Sequence, residues 1–291
     1  MRWRLPSPIS PLGGRSRTYV TLIVIGIAIG FGYLALLRWT LEDMSAYWDG
    51  AMRLRNGRPL YPVVADPNAP DVYRYAPWFA VLWVPLTFLP RHMVEVAWAA
   101  VLLLASGIAV LPLLREARLA SVLLGILGGS LLFWTASRGN VHPIVIAALV
   151  HGAGRRAGPI WIALAASLKA VPIFFVLPDV AAKRWSRVAS TLALTALLVA
   201  PMPFLGWSIA AAATGANMGL LAQLGPAVWV VSLIIVLAAA AVVAVRRPAF
   251  AWLAGAVVAV AALPRLIFYD LTYVLVGATG PDARRGGTRG E

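Results

Sequence analysis

The 291-residue sequence contains no cysteine, three histidines and only two lysines, Lys169 and Lys183. The first absence excludes disulfides, thiolate chemistry and cysteine metal sites. Histidines scattered at His92, His142 and His151 argue against a zinc or iron centre, which needs clustered ligands. Charge is also scarce: 12% of residues are charged, against roughly 25% in a soluble domain. The motifs of common soluble enzymes are missing as well. There is no Gly-rich phosphate loop after a strand, no His-Glu-x-x-His and no Gly-x-Ser-x-Gly.

What is present is apolar. Hydrophobic residues make up 61% of the chain, and runs long enough to cross a bilayer, about 20 residues each, recur along its whole length. This predicts an all-α polytopic membrane protein with no separate soluble domain. The run from Tyr19 to Leu37 is too long for a signal-peptide core and has no small-residue cleavage site after it, so it reads as a span. The net charge of +14 lies mostly in short arginine clusters between apolar runs. That is the pattern of the positive-inside rule and not of a nucleic-acid patch, so no nucleic-acid partner is expected.

The clusters set a topology. Arg2, Arg4, Arg15 and Arg17 place the N-terminus in the cytoplasm. Residues 39–92, with five of the eleven acids, form an outer loop. Within that loop Pro77 to Pro90 spans about 21 Å as a helix, too little to cross, and is expected to lie at the interface. Lys169 and Pro172 interrupt the stretch from Pro159 to Ala182, which predicts two half-length segments meeting near Lys169; broken helices at membrane depth line cavities. The expected total is about ten membrane segments in a single domain over residues 1–279, with 280–291 a disordered cytoplasmic tail.

Ionisable residues in such a chain carry a functional expectation, because a charge at bilayer depth costs at least about 2.5–3.5 kcal/mol. Asp43 follows the first span and shares a helical face with Tyr47. A carboxylate there could act as a general base or serve as a loop acid or helix cap. Arg138, His142, Lys169 and Arg265 stand at the outward ends of four segments, where they would suit a phosphate or snorkel to headgroups. Asp270 is expected to pair with Arg265. Tyr47, Trp48, Tyr61, Tyr73, Tyr75 and Trp78 make the outer loop aromatic, as an interfacial belt or as sugar-stacking surfaces.

Three stretches, in this order, resemble glycosyltransferase family 87, within the GT-C class. The first runs from Asp43-Met-Ser-Ala-Tyr47 through Gly57-Arg-Pro-Leu-Tyr61 to Tyr73-Arg-Tyr75-Ala-Pro77 and the apolar run ending Leu89-Pro90. The second is Arg138-Gly139-Asn140-Val141-His142, where the family usually shows Gly-Gln-x-Asn. The third is Ala165-Ala-Ser-Leu-Lys169-Ala-Val-Pro172, with Lys183-Arg-Trp185 after it. The likeness covers roughly residues 18–187.

The resemblance implies a GT-C-like bundle in a bacterial plasma membrane, with its active site on the outer face. It implies inverting transfer of a sugar, mannose in that family, from a polyprenyl-phosphate donor to a lipid or glycan acceptor. Asp43 would be the catalytic base. Arg138, Lys169 and Arg265 would hold the donor phosphate, and Asn140, His142, Tyr47 and Tyr75 would complete the substrate site. No cofactor is required, and a divalent metal remains compatible. Two other classes stay open: a transporter or lipid flippase, which shares broken helices and a midplane lysine, and a non-catalytic subunit of envelope assembly.

Overall fold

The computed structural model describes residues 14–62, 72–116, 118–207, 225–263 and 266–280. Arg265, Asp66, Asp71, most of the stretch between Trp207 and Pro226, and the tail from residue 281 lie outside the described residues. The described chain is all-helical. Five helices are long and apolar enough to cross a membrane: Arg17–Leu37, Arg91–Leu114, Leu119–Ser137, Trp185–Leu205 and Pro226–Arg246. Five further apolar helical segments are shorter. Of the roughly ten membrane segments expected from sequence, five are full-length helices among the described residues. The difference lies in segments such as His142–Gly152, whose 11 residues cover only about 16 Å.

The long helices expose most of their apolar side chains. Ile23, Val96, Leu104, Leu197 and Ile235 are among many that face outward, as expected where the surrounding solvent is lipid. α1 (Gly14–Leu37) packs on α5 (Leu119–Ser137), which packs in turn on α4 (Arg91–Leu114). Between them sit the shorter elements. α6 (His142–Gly152) and α7 (Gly158–Lys169) form a hairpin, and α7 packs along α9 (Trp185–Val199). A 3₁₀ turn, Val171–Val176, leads into α8 (Leu177–Ala181). α10 (Pro226–Arg246) returns to α11 (Ala251–Ala261), and a 3₁₀ turn at Phe268–Thr272 precedes α12 (Tyr273–Thr279).

Local chemistry explains several boundaries. Proline opens α3 (Pro77–Trp83), α7, α8 and α10 at their first two positions, where its missing N–H costs nothing. α2 (Glu42–Arg55) has Glu42 and Asp43 in its first turn and Arg53 and Arg55 in its last, complementing the helix dipole at both ends. It closes in a Schellman motif: Gly57, at φ +64°, donates to Leu54 O at 3.1 Å, while Arg58 N donates to Arg53 O at 2.8 Å. The break expected near Lys169 is present. α7 ends at Lys169, and Ala170 turns the chain at φ +47°.

Tyr47, Tyr75, Phe79 and Trp83, from the segment expected to be an outer loop, pack inward. The Tyr47 ring is surrounded by Tyr75, Phe79, Trp83 and Trp98, with ring centroids 4.9, 5.0, 5.3 and 5.8 Å away. These aromatics are a core that clamps α2 and α3 onto α4.

Candidate functional site

The candidate site forms where four helix ends meet: the start of α2, the turn between α5 and α6, the end of α7, and the turn before α12. Its foundation is the α5–α6 turn at residues 138–142. The Ser137 carbonyl accepts from Thr40 N at 3.2 Å and Leu41 N at 3.1 Å, and Asp43 N donates to Arg138 O at 2.9 Å. Gly139 is needed here. Its φ is +77°, and a Cβ would stand 3.0 Å from Met44 N and 3.1 Å from Leu41 Cα. Trp98 Nε1 donates to Gly139 O at 2.8 Å, fixing the turn to α4.

On that foundation Asn140 Nδ2 donates to Asp43 Oδ2 at 2.8 Å, and Asn140 Oδ1 accepts from His142 N at 2.9 Å. One buried amide thus orients the carboxylate and starts α6. Burial holds the Asp43 carboxyl above its usual range. The Asn140 hydrogen bond and the positive charges of Lys169 and Arg138 pull it the other way.

Arg138 makes an ion pair with Glu42 and lies over the Trp134 ring, its Cζ 5.9 Å from the centroid. Lys169 Nζ lies 5.0 Å from the centroid of Tyr269, and the field of Asp43 and of Asp270 reaches it. Trp78 Nε1 donates to Ser167 Oγ at 3.0 Å, which ties the outer loop to α7 two residues before Lys169.

Two expected substrate contacts sit beneath the site. Tyr47 is fully buried, and its hydroxyl is committed: it accepts from Val141 N at 3.0 Å and lies 3.2 Å from the Tyr75 hydroxyl. No face of its ring is open for a sugar. Tyr75 is half-buried and remains next to the site. His142 is fully buried as well. Its Nε2 donates to Thr272 Oγ1 at 2.8 Å, which donates in turn to Tyr269 O at 2.7 Å. His142 therefore locks the last turn of the bundle to α6. Arg265 lies outside the described residues, so its expected pairing with Asp270 does too. Asp270 Oδ2 accepts from Ile267 N at 3.1 Å and shapes the turn that presents Tyr269 to Lys169.

The sequence reading had no role for Glu42 as the partner of Arg138, nor for the Tyr269–Thr272 turn as a wall. Adjacent acids at 42 and 43, and a polar Tyr-Asp pair inside the last apolar run, were the available signals. Among the described residues, no three carboxylate or imidazole groups gather closely enough to hold a metal ion. The chemistry on offer is one oriented carboxylate within the field of two cations. Comparison with protein-family models, with curated proteins and with solved structures finds no match to this chain.

Proposed function

We propose that the chain is an inverting membrane glycosyltransferase that moves a sugar, mannose on the resemblance described above, from a polyprenyl-phosphate donor to a lipid or glycan acceptor at the outer face of a bacterial plasma membrane. The observation that carries this reading is the Asp43 carboxylate, held by Asn140 within the field of Lys169 and Arg138. Asp43 accepts the proton of the acceptor hydroxyl as its oxygen attacks the anomeric carbon of the donor sugar. The bond from that carbon to the phosphate oxygen breaks, and polyprenyl phosphate leaves with the electron pair. A phosphate leaving group is a weak base, so it needs cations more than a general acid. Lys169 and Arg138 supply them.

Asn140 aims the carboxylate and favours its charged form, and Tyr75 lines the side nearest α3. The helix break at Ala170, beside a half-buried lysine, also suits a transporter or flippase. Vesicles carrying the chain separate the two. Transfer of labelled mannose from polyprenyl-phosphate mannose to membrane glycolipid is expected, and vesicles without the chain should show none. Leaflet-to-leaflet movement of the donor with no transfer would instead favour the transporter.

A further inference from the structure

One built feature of the molecule has no part in that chemistry. A cleft of about 450 Å³ opens on the side of the bundle between α4, α6 and α7. Its walls are apolar, with Leu104 and Ile108 from α4, Ile144 and Ala148 from α6, and Trp161 from α7, and it ends on Arg155. Gly152 lets Trp161 close against α6 as one wall, because a Cβ at that position would lie 2.2 Å from Trp161 Cγ.

The cationic end is rigid and uncompensated. Arg187 Nη1 donates to the carbonyls of Arg155 and Arg156 at 2.9 and 3.0 Å, and Nη2 donates to Ala153 O at 3.2 Å, which pins the α6–α7 turn. The neighbouring acid Asp179 is already engaged by Arg187 and Arg184. Among the described residues no acid pairs with Arg155. His151 Nε2 donates to Ile108 O at 2.8 Å. This ties the end of α6 to α4 six residues short of Leu114, or about 9 Å along the helix. Arg155 is thus exposed at the edge of the cleft, beside the longer helix.

We propose that this cleft binds one anionic phospholipid, with an acyl chain along α4 and α6 and the phosphate on Arg155. The Arg155 cation, with no acid paired to it among the described residues, favours an anionic headgroup over a zwitterionic one. The donor phosphate belongs elsewhere. Lys169 stands at the opposite end of α7, which is 12 residues long or about 18 Å, so this site is independent of the transferase reading.

The test is native mass spectrometry of the full chain in mild detergent, titrated with phosphatidylglycerol or with phosphatidylcholine of the same acyl chains. Retention of one phosphatidylglycerol is expected, with weaker retention of phosphatidylcholine. Arg155→Gln should lower phosphatidylglycerol occupancy by about tenfold or more, since a charge-assisted hydrogen bond is lost. Arg155→Lys should keep most of it, and Ala148→Phe, which fills the cleft, should remove both lipids. Equal retention of the two lipids, or wild-type occupancy in Arg155→Gln, overturns the proposal. So does displacement of phosphatidylglycerol by equimolar polyprenyl phosphate, which would assign the cleft to a transferase donor.

Discussion

Asn140 and Asp43, 97 residues apart in sequence, share a hydrogen bond of 2.8 Å that joins the outer-loop helix to the α5–α6 turn. The carboxylate that the proposed chemistry needs is therefore oriented by a residue from a different part of the chain.

That bond gives the first prediction, a pH dependence. Burial raises the Asp43 pKa, while Asn140, Lys169 and Arg138 each lower it by favouring the charged form. Activity requires the deprotonated carboxylate, so the acid limb of the rate profile should lie above the ordinary Asp range near 3.8. Asn140→Ala removes a hydrogen bond to the anion and should move that limb to higher pH. Rate profiles of the two proteins over the acid range check this; a limb that stays put or moves down contradicts it.

Much of this arrangement was legible in the sequence, for identifiable reasons. Lys169 and Pro172 in one apolar run can only mean a break, and Ala170 is where the chain turns. Arg138 and Asp43 stood out because charged residues are rare in such a chain, whereas Asn140 entered only through the resemblance to glycosyltransferase family 87. The roles of Tyr47 and His142 were not legible. Both look like surface chemistry in a one-dimensional reading, and only packing against Trp83 and Trp98, or against Thr272, makes them interior supports. The number of crossings was less legible, because hydropathy alone does not separate a half-length helix buried against its neighbours from one that crosses.

A second prediction concerns the turn itself. Gly139→Ala places a Cβ against Met44 N in a left-handed conformation, which costs about 1–2 kcal/mol before any clash. The apparent melting midpoint in detergent should fall by roughly 2–8 °C. Gly107→Ala, inside α4 with open space around its Cβ, is the comparison that should leave the midpoint unlowered or raise it, since Ala favours a helix interior over Gly. Equal behaviour of the two variants would mean that the 138–142 turn does not depend on its glycine.

The third prediction ranks the cations. Lys169→Ala should weaken binding of the polyprenyl-phosphate donor by about tenfold to a hundredfold, the usual loss for one charge-assisted hydrogen bond. Arg138→Ala should cost less, because Glu42 already shares that charge. Glu42→Gln should then tighten donor binding by releasing Arg138. Titration with labelled donor measures all three, and a larger loss at Arg138 than at Lys169 would reverse the assignment.

The fourth prediction tests the link from the outer loop to α7. Trp78→Phe keeps the ring but removes the 3.0 Å bond to Ser167 Oγ. Because it loosens the segment carrying Lys169, donor KM should rise more than kcat falls. Ser167→Ala should have the same effect, and the double variant should be no worse than either single one. Additive losses would place the two residues in separate roles.

In the proposed reaction Asp43 takes the acceptor proton, which sugar transfer from polyprenyl-phosphate mannose by Asp43→Asn and Asp49→Asn, side by side, measures directly. Asparagine at 43 keeps the volume and can still accept from Asn140, but it cannot take up a proton. Loss of a general base costs on the order of 10²–10⁴-fold in rate. Asp49 lies on the same helix and faces a small separate cavity with Arg53 and Tyr73. Asp43→Asn should lose transfer by that factor while remaining folded and inserted, and Asp49→Asn should retain it. Full transfer by Asp43→Asn, with or without loss in Asp49→Asn, would mean that Asp43 is not the base.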